Sequence, residues 1–148
     1  MASNDPLALE QQVCFAMVVA ARSVVSLYKP VLEPMGLTHP QYLVMLALWE
    51  HTPQTVSQLS AALALDPGTL SPLLKRLETA GLLARQRDTR DERQLAVRLT
   101  PDGVALRAEA EKVPALVAAR LGMGLDELAQ LRDTLTRLIV AAGHPVNA

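Results

Sequence analysis

The chain has 148 residues and 16.0 kDa, half of them hydrophobic and a fifth charged, with mean hydropathy +0.19, which fits one globular domain and excludes a disordered chain. Fourteen Lys and Arg stand against fifteen Asp and Glu, so the net charge of -1 excludes a bulk polycation and leaves nucleic-acid binding only to a local patch. The longest uninterrupted apolar run, Val13 to Ala21, is nine residues, short of the roughly 20 that cross a bilayer. The residues before it carry acids and no basic stretch, so neither a membrane span nor a secretory signal is expected, and a cytoplasmic location is. Cys14 is the single cysteine, which excludes an intramolecular disulfide and a thiolate cluster. His39, His51 and His144 lie far apart in sequence, so no metal or other cofactor is expected.

From Leu7 to about Tyr28, Cys14, Met17, Val18, Ala21, Val24, Val25 and Tyr28 recur at steps of three and four, which predicts a helix closed by Pro30 and Pro34. Thr38 before Pro40 predicts a cap and an early helical proline, opening a second helix that runs to about His51. Thr55-Val56-Ser57-Gln58 has the capping-box form and starts a short third helix to about Ala64. A fourth follows from Thr69 to Ala80, with Leu70, Leu73, Leu74 and Leu77 on one face; taking Thr69 as its cap places Pro72 in the first turn, where an N–H is not missed. The period then drops to two, predicting strands at Leu82–Arg87 and Leu95–Leu99 around the polar turn 88–92. Thr100-Pro101 opens a helix that must kink or restart at Pro114, with Gly122 and Gly124 ending the segment. The last helix, Leu125 to about Ala142, carries Leu128, Leu131, Leu135, Leu138 and Ala142 as a heptad-like seam suited to another helix.

This order predicts a mainly α chain with a small β-ribbon: a winged helix-turn-helix with N- and C-terminal dimerisation helices. Residues 1–148 form one domain, with dimerisation helices at 7–34 and 101–142 around a DNA-binding region at 38–100. A helix-turn-helix places its second helix in the major groove. Thr69, Ser71, Lys75 and Arg76 would there offer donors to bases and phosphates, and an Arg at the ribbon tip can enter the minor groove. Residues 66–98 hold seven basic and five acidic side chains, a local net of +2 that a two-fold dimer would double; a merely solvated hairpin face would give the same count.

Asp91-Glu92-Arg93 before the second strand and Leu99-Thr100-Pro101-Asp102-Gly103 after it resemble the MarR family of dimeric transcription regulators, over essentially the whole span from Leu7 to Ala142. Within that family, Gln12-Val13-Cys14-Phe15, Tyr28-Lys29-Pro30, Pro40-Gln41-Tyr42-Leu43, Leu48-Trp49-Glu50 and Asp66-Pro67-Gly68-Thr69-Leu70-Ser71-Pro72 resemble the organic-hydroperoxide sensors of the OhrR type. The resemblance implies that Cys14 is the reactive cysteine, that Tyr28 hydrogen-bonds its sulfur, and that Arg93 contacts the minor groove with Asp91 orienting it. It also implies a homodimer on a palindromic double-stranded operator, released by an organic hydroperoxide acting with a small-molecule thiol. His39 stands where these sensors commonly have a second tyrosine, and Val18 replaces a further one, so an imidazole becomes a candidate donor to the sulfur. No second, C-terminal cysteine is present, as in the one-cysteine branch.

Fourteen helical residues at about 1.5 Å each separate Cys14 from Tyr28 by roughly 21 Å, so their contact would have to cross a dimer interface. Two other readings stand beside this one. A repressor released by a small aromatic or phenolic ligand would leave Cys14 a packing residue. A thiol peroxidase would need a positioned Arg and Thr near the cysteine, and no such arrangement is evident, so an enzyme is not expected.

Overall fold

The computed structural model describes residues 4–144. Seven helices and three short strands follow in the order α1 Val13–Leu32, α2 His39–Glu50, β1 Gln54–Thr55, α3 Val56–Leu63, α4 Pro67–Thr79, β2 Leu83–Arg87, β3 Leu95–Leu99, α5 Pro101–Ala110, α6 Val113–Leu121 and α7 Leu125–Ala141. The middle of the molecule is α2, apolar nearly all round, with Tyr42, Val44, Met45 and Leu48 buried. Around it pack the end of α1, then α3, α4 and the sheet, whose inward residues Leu59, Leu70, Leu74, Leu77, Leu83 and Val97 complete the core.

Most starts are written in the sequence as caps. Thr38 and Thr55 each accept from the backbone N–H three residues on, while Gln41 and Gln58 reach back to the cap N–H. Thr100 Oγ1 accepts from Gly103 N–H at 3.1 Å and donates to the Gly81 carbonyl at 2.6 Å, tying α5 to the turn before β2. Gly122, in the left-handed region, ends α6.

Five expectations need correction. Pro30 does not close the first helix but lies inside α1, which runs on because Val31 and Leu32 are buried in the core; the carbonyl left without a donor belongs to exposed Ser26. The helix also starts later than Leu7, at Val13, after a single 3₁₀ turn over Leu9–Gln11. Asp66, not Thr69, caps α4, so Pro72 sits deeper in the helix with its ring on the exposed face. The ribbon is a three-stranded antiparallel sheet in the order β1-β3-β2, because Gln54 and Thr55 pair with Val97 and Ala96. In β3 the strict alternation fails at its outer end, where Leu95 is exposed and Ala96 buried.

The two ends of the chain are thinly covered. Of α1 only Val31 and Leu32 are buried, and α7 buries no residue and makes its main contact with α6. By length and composition, Val13–Met35 would suffice to cross a bilayer, which the uninterrupted run alone understated because scattered polar residues such as Arg22, Ser26 and Lys29 break it.

Candidate functional site

The face of α4 opposite its buried leucines presents Thr69, Ser71, Lys75 and Arg76, all exposed. At 100° per residue, Ser71 and Lys75 lie on one flank of that face and Thr69 and Arg76 on the other. The Asp66 carboxylate accepts from Thr69 N–H at 2.8 Å and from its hydroxyl at 3.1 Å, so Thr69 Oγ1 is engaged in the cap and keeps only acceptor capacity to spare.

The wing projects beside this helix. Leu83 pairs with Leu99 and Arg87 with Leu95, and the Asp88 N–H closes the tip onto the Gln94 carbonyl at 2.8 Å. At the tip, one Asp91 oxygen accepts from both the backbone N–H of Arg93 (3.1 Å) and its Nε (3.2 Å), while the Arg93 side chain is 92% exposed. Asp91 therefore fixes the base of the Arg93 side chain and leaves the far nitrogens of the guanidinium free to donate outward. Between α4 and the wing lies a cleft of about 270 Å³, with Ser57 and Ser71 on the helical side and Arg85, Arg93 and Gln94 on the wing side. Ser57, Arg85 and Gln94 were not singled out from sequence; Arg85 entered only as one of seven basic residues.

At the opposite end of the core, Tyr28 of α1, His39 at the start of α2, and Tyr42 one turn on form an aromatic cluster. The Tyr28 and His39 rings meet edge-on at 4.8 Å, with Tyr42 at 5.9 Å from Tyr28 and 6.5 Å from His39. Burial raises the Tyr28 phenol and lowers the His39 imidazole, so at neutral pH the cluster offers a protonated phenol and an uncharged ring. Cys14 is exposed in the first turn of α1, on the same helix as Tyr28 but several turns away. The family resemblance made Tyr28 and His39 each a partner of the Cys14 sulfur; the structure brings these two rings together and does not bring Cys14 to them within one chain. Tyr42 is both buried and the third ring of the cluster.

A second cleft, of about 330 Å³, opens between α2 and the α5–α6 joint beside Tyr42, Trp49 and Glu50. Its outer wall is Arg107, paired with Glu111 one turn on.

Residues 37–95 match the model of the MarR family. Over 135 residues the chain is 39% identical to the organic hydroperoxide resistance transcriptional regulator of Bacillus subtilis, covering 91% of this chain and 92% of that one. Among solved structures it is similar to overoxidized AbfR bound to DNA, from Staphylococcus epidermidis, at 34% identity and TM-score 0.72 over 90% of this chain and 94% of that one. It is also similar to CouR of Rhodococcus jostii bound to p-coumaroyl-CoA, at 25% identity and TM-score 0.77 over 95% and 99%.

Proposed function

This chain belongs to the MarR family and is a transcriptional regulator, and on that premise we propose that it is a cytoplasmic, dimeric DNA-binding repressor that senses organic hydroperoxides through Cys14 and then leaves its operator. In this reading residues 38–100 bind DNA and the helices at 7–34 and 101–142 dimerise. The observation that carries it is the position of Cys14, exposed on an apolar stretch of α1 where Phe15, Val18 and Val19 also lie uncovered. A second copy that covers those side chains buries the thiol and brings the partner's Tyr28–His39 cluster within reach of it. The likeness to a hydroperoxide-resistance regulator across nine-tenths of both chains supports the same branch.

The chemistry is then simple. The Cys14 thiolate attacks the terminal peroxide oxygen, the O–O bond breaks, and the departing alkoxide takes a proton from solvent to leave as an alcohol while the sulfur becomes a sulfenic acid. A small-molecule thiol condenses with that acid, forming a mixed disulfide and releasing water. The Tyr28 phenol and the His39 ring donate hydrogen bonds to the sulfur, favouring the thiolate. An adduct at a packed interface moves the two α4 helices from their one-turn spacing, and affinity for a palindromic operator falls. On the DNA, Ser71, Lys75, Arg76 and Thr69 face the major groove, and Arg93, held by Asp91, enters the minor groove.

The test is a titration of reduced protein on its own upstream DNA, repeated after an organic hydroperoxide with a small thiol, then after reductant. Binding should be lost and recovered, while Cys14→Ser binds throughout; release of Cys14→Ser by peroxide would overturn the reading. The cleft beside Trp49 and Arg107 favours one alternative, a repressor released by a small aromatic acid with Cys14 incidental. Release by such a ligand, indifferent to reductant, would select it.

A further inference from the structure

We propose that Glu78 is a positioning residue for DNA binding: through Arg85 it locks the wing to the recognition helix, so that α4 and Arg93 reach the duplex together. The inference rests on the DNA-binding part of the reading above and is independent of the redox part. β2 is an edge strand, because the sheet runs β1-β3-β2, and an edge strand presents backbone N–H groups with no strand to receive them. The N–H of Arg85 is one of these, and the Glu78 carboxylate accepts it at 3.0 Å with one oxygen. The other oxygen accepts from the Arg85 guanidinium at 3.2 Å. One carboxylate in the last turn of α4 thus grips both the main chain and the side chain of the neighbouring strand. The Arg85 hydrogen bonds hold the Glu78 carboxyl below its ordinary value, so the grip is ionic at neutral pH.

Its position along the strand gives it leverage. Leu83 is buried and anchors the root of the hairpin, Arg85 is partly buried, and beyond it Gln86 and Arg87 are exposed. The tie therefore falls where the hairpin leaves the core. From there the wing side of the cleft, Arg85, Arg93 and Gln94, faces Ser57 and Ser71 across open space. Small rotations of the hairpin about its root are magnified at Arg93, and a tie at Arg85 limits them. Without it, the duplex must select the one wing angle that lets both elements bind, and affinity falls by the fraction of molecules at that angle.

Reduced protein, without oxidant, is titrated on its upstream DNA as Glu78→Gln and Glu78→Ala, each alone and combined with Arg93→Ala or Lys75→Ala. Thermal unfolding is followed in parallel. Glu78→Ala should weaken binding on the order of tenfold, and Glu78→Gln, which keeps a neutral acceptor for the Arg85 N–H, by less, both with midpoints near that of the parent. The loss should vanish in the Arg93→Ala background, where the wing tip has nothing left to place, and persist in the Lys75→Ala background. Parental affinity in both Glu78 variants, or an equal loss with and without Arg93, would overturn the proposal. If Arg93→Ala alone binds as the parent, the assignment of the wing tip to DNA fails first and this inference falls with it. If Arg93→Ala weakens binding and the Glu78 variants do not, only this inference fails.

Discussion

Gly103 shows how a motif residue can be needed for packing alone. A Cβ placed there would lie 2.0 Å from the Leu82 carbonyl oxygen, a backbone atom held by its own bond from Thr100 N–H. The Gly103 carbonyl also receives the Trp49 indole N–H at 2.8 Å, joining α2 to α5. Gly103→Ala should therefore cost about 3 kcal/mol, at the upper end of overpacking effects, and shift Trp49 fluorescence; a denaturation midpoint within error of the parent would refute it. His39 gives a prediction with a sign. Its folded imidazole titrates below the ordinary value because it is half-buried, whereas the unfolded chain takes up a proton at about pH 6.5. As pH falls below that, the unfolded state binds the proton first, so stability drops until the folded ring titrates too, then levels. His39→Phe should flatten this slope in urea midpoints measured from about pH 7.5 to about pH 5; an unchanged slope would assign the proton elsewhere. The sequence, through its family resemblance, implied that Asp91 orients Arg93. It hid Glu78 with Arg85, since seven residues across a helix-to-strand junction follow no period.

Helix α4 shows what capping logic recovers and where it slips. Both Asp66 and Thr69 are good cap residues, and choosing Thr69 kept Pro72 out of the helix interior. The structure instead spends Asp66 on the cap with Pro67 in the first turn, and leaves the carbonyl opposite Pro72, that of Gly68, at an exposed position. The same reasoning explains Pro30: proline predicts a stop only when nothing beyond it is worth burying, and Val31 and Leu32 are. Two-residue β1 was illegible because no periodicity exists at that length; what holds it is tertiary, with the Gln54 side-chain amide donating to the carbonyls of Ala47 and His51 at 2.8 and 2.7 Å. The choice of cap is testable. Asp66→Ala should cost about 1 kcal/mol and fray the start of α4, weakening DNA binding with it, while Thr69→Val should leave stability nearly unchanged. Equal losses for the two would mean that the Thr69 hydroxyl carries the cap.

Viewed as one body, the molecule has a well-filled centre and two uncovered arms. On α7, Leu131 is 46% and Leu138 38% exposed, and both belong to the heptad-like seam. With Val18 and Val19 of α1 and Leu116 of α6, they form apolar surface that a second copy would bury at roughly 1.5–3 kcal/mol for each large side chain. The proposed DNA-binding region, with a net of only +2 over residues 66–98, would need that second copy as well: one patch so weakly charged would hold few phosphates, and two at one-turn spacing would act together. The double variant Leu131→Glu, Leu138→Glu leaves the core of each chain intact, since neither side chain is buried. It should sediment as a monomer with parental helicity and lose on the order of 10²–10⁴-fold in operator affinity, the gain that linking two half-site contacts supplies. The dependence of log affinity on log salt reports the phosphates neutralised, so its slope should fall to about half in the monomer. A monomer that kept the full slope would show that both half-sites are read by independent chains, and that the seam serves some purpose other than holding two recognition helices in register.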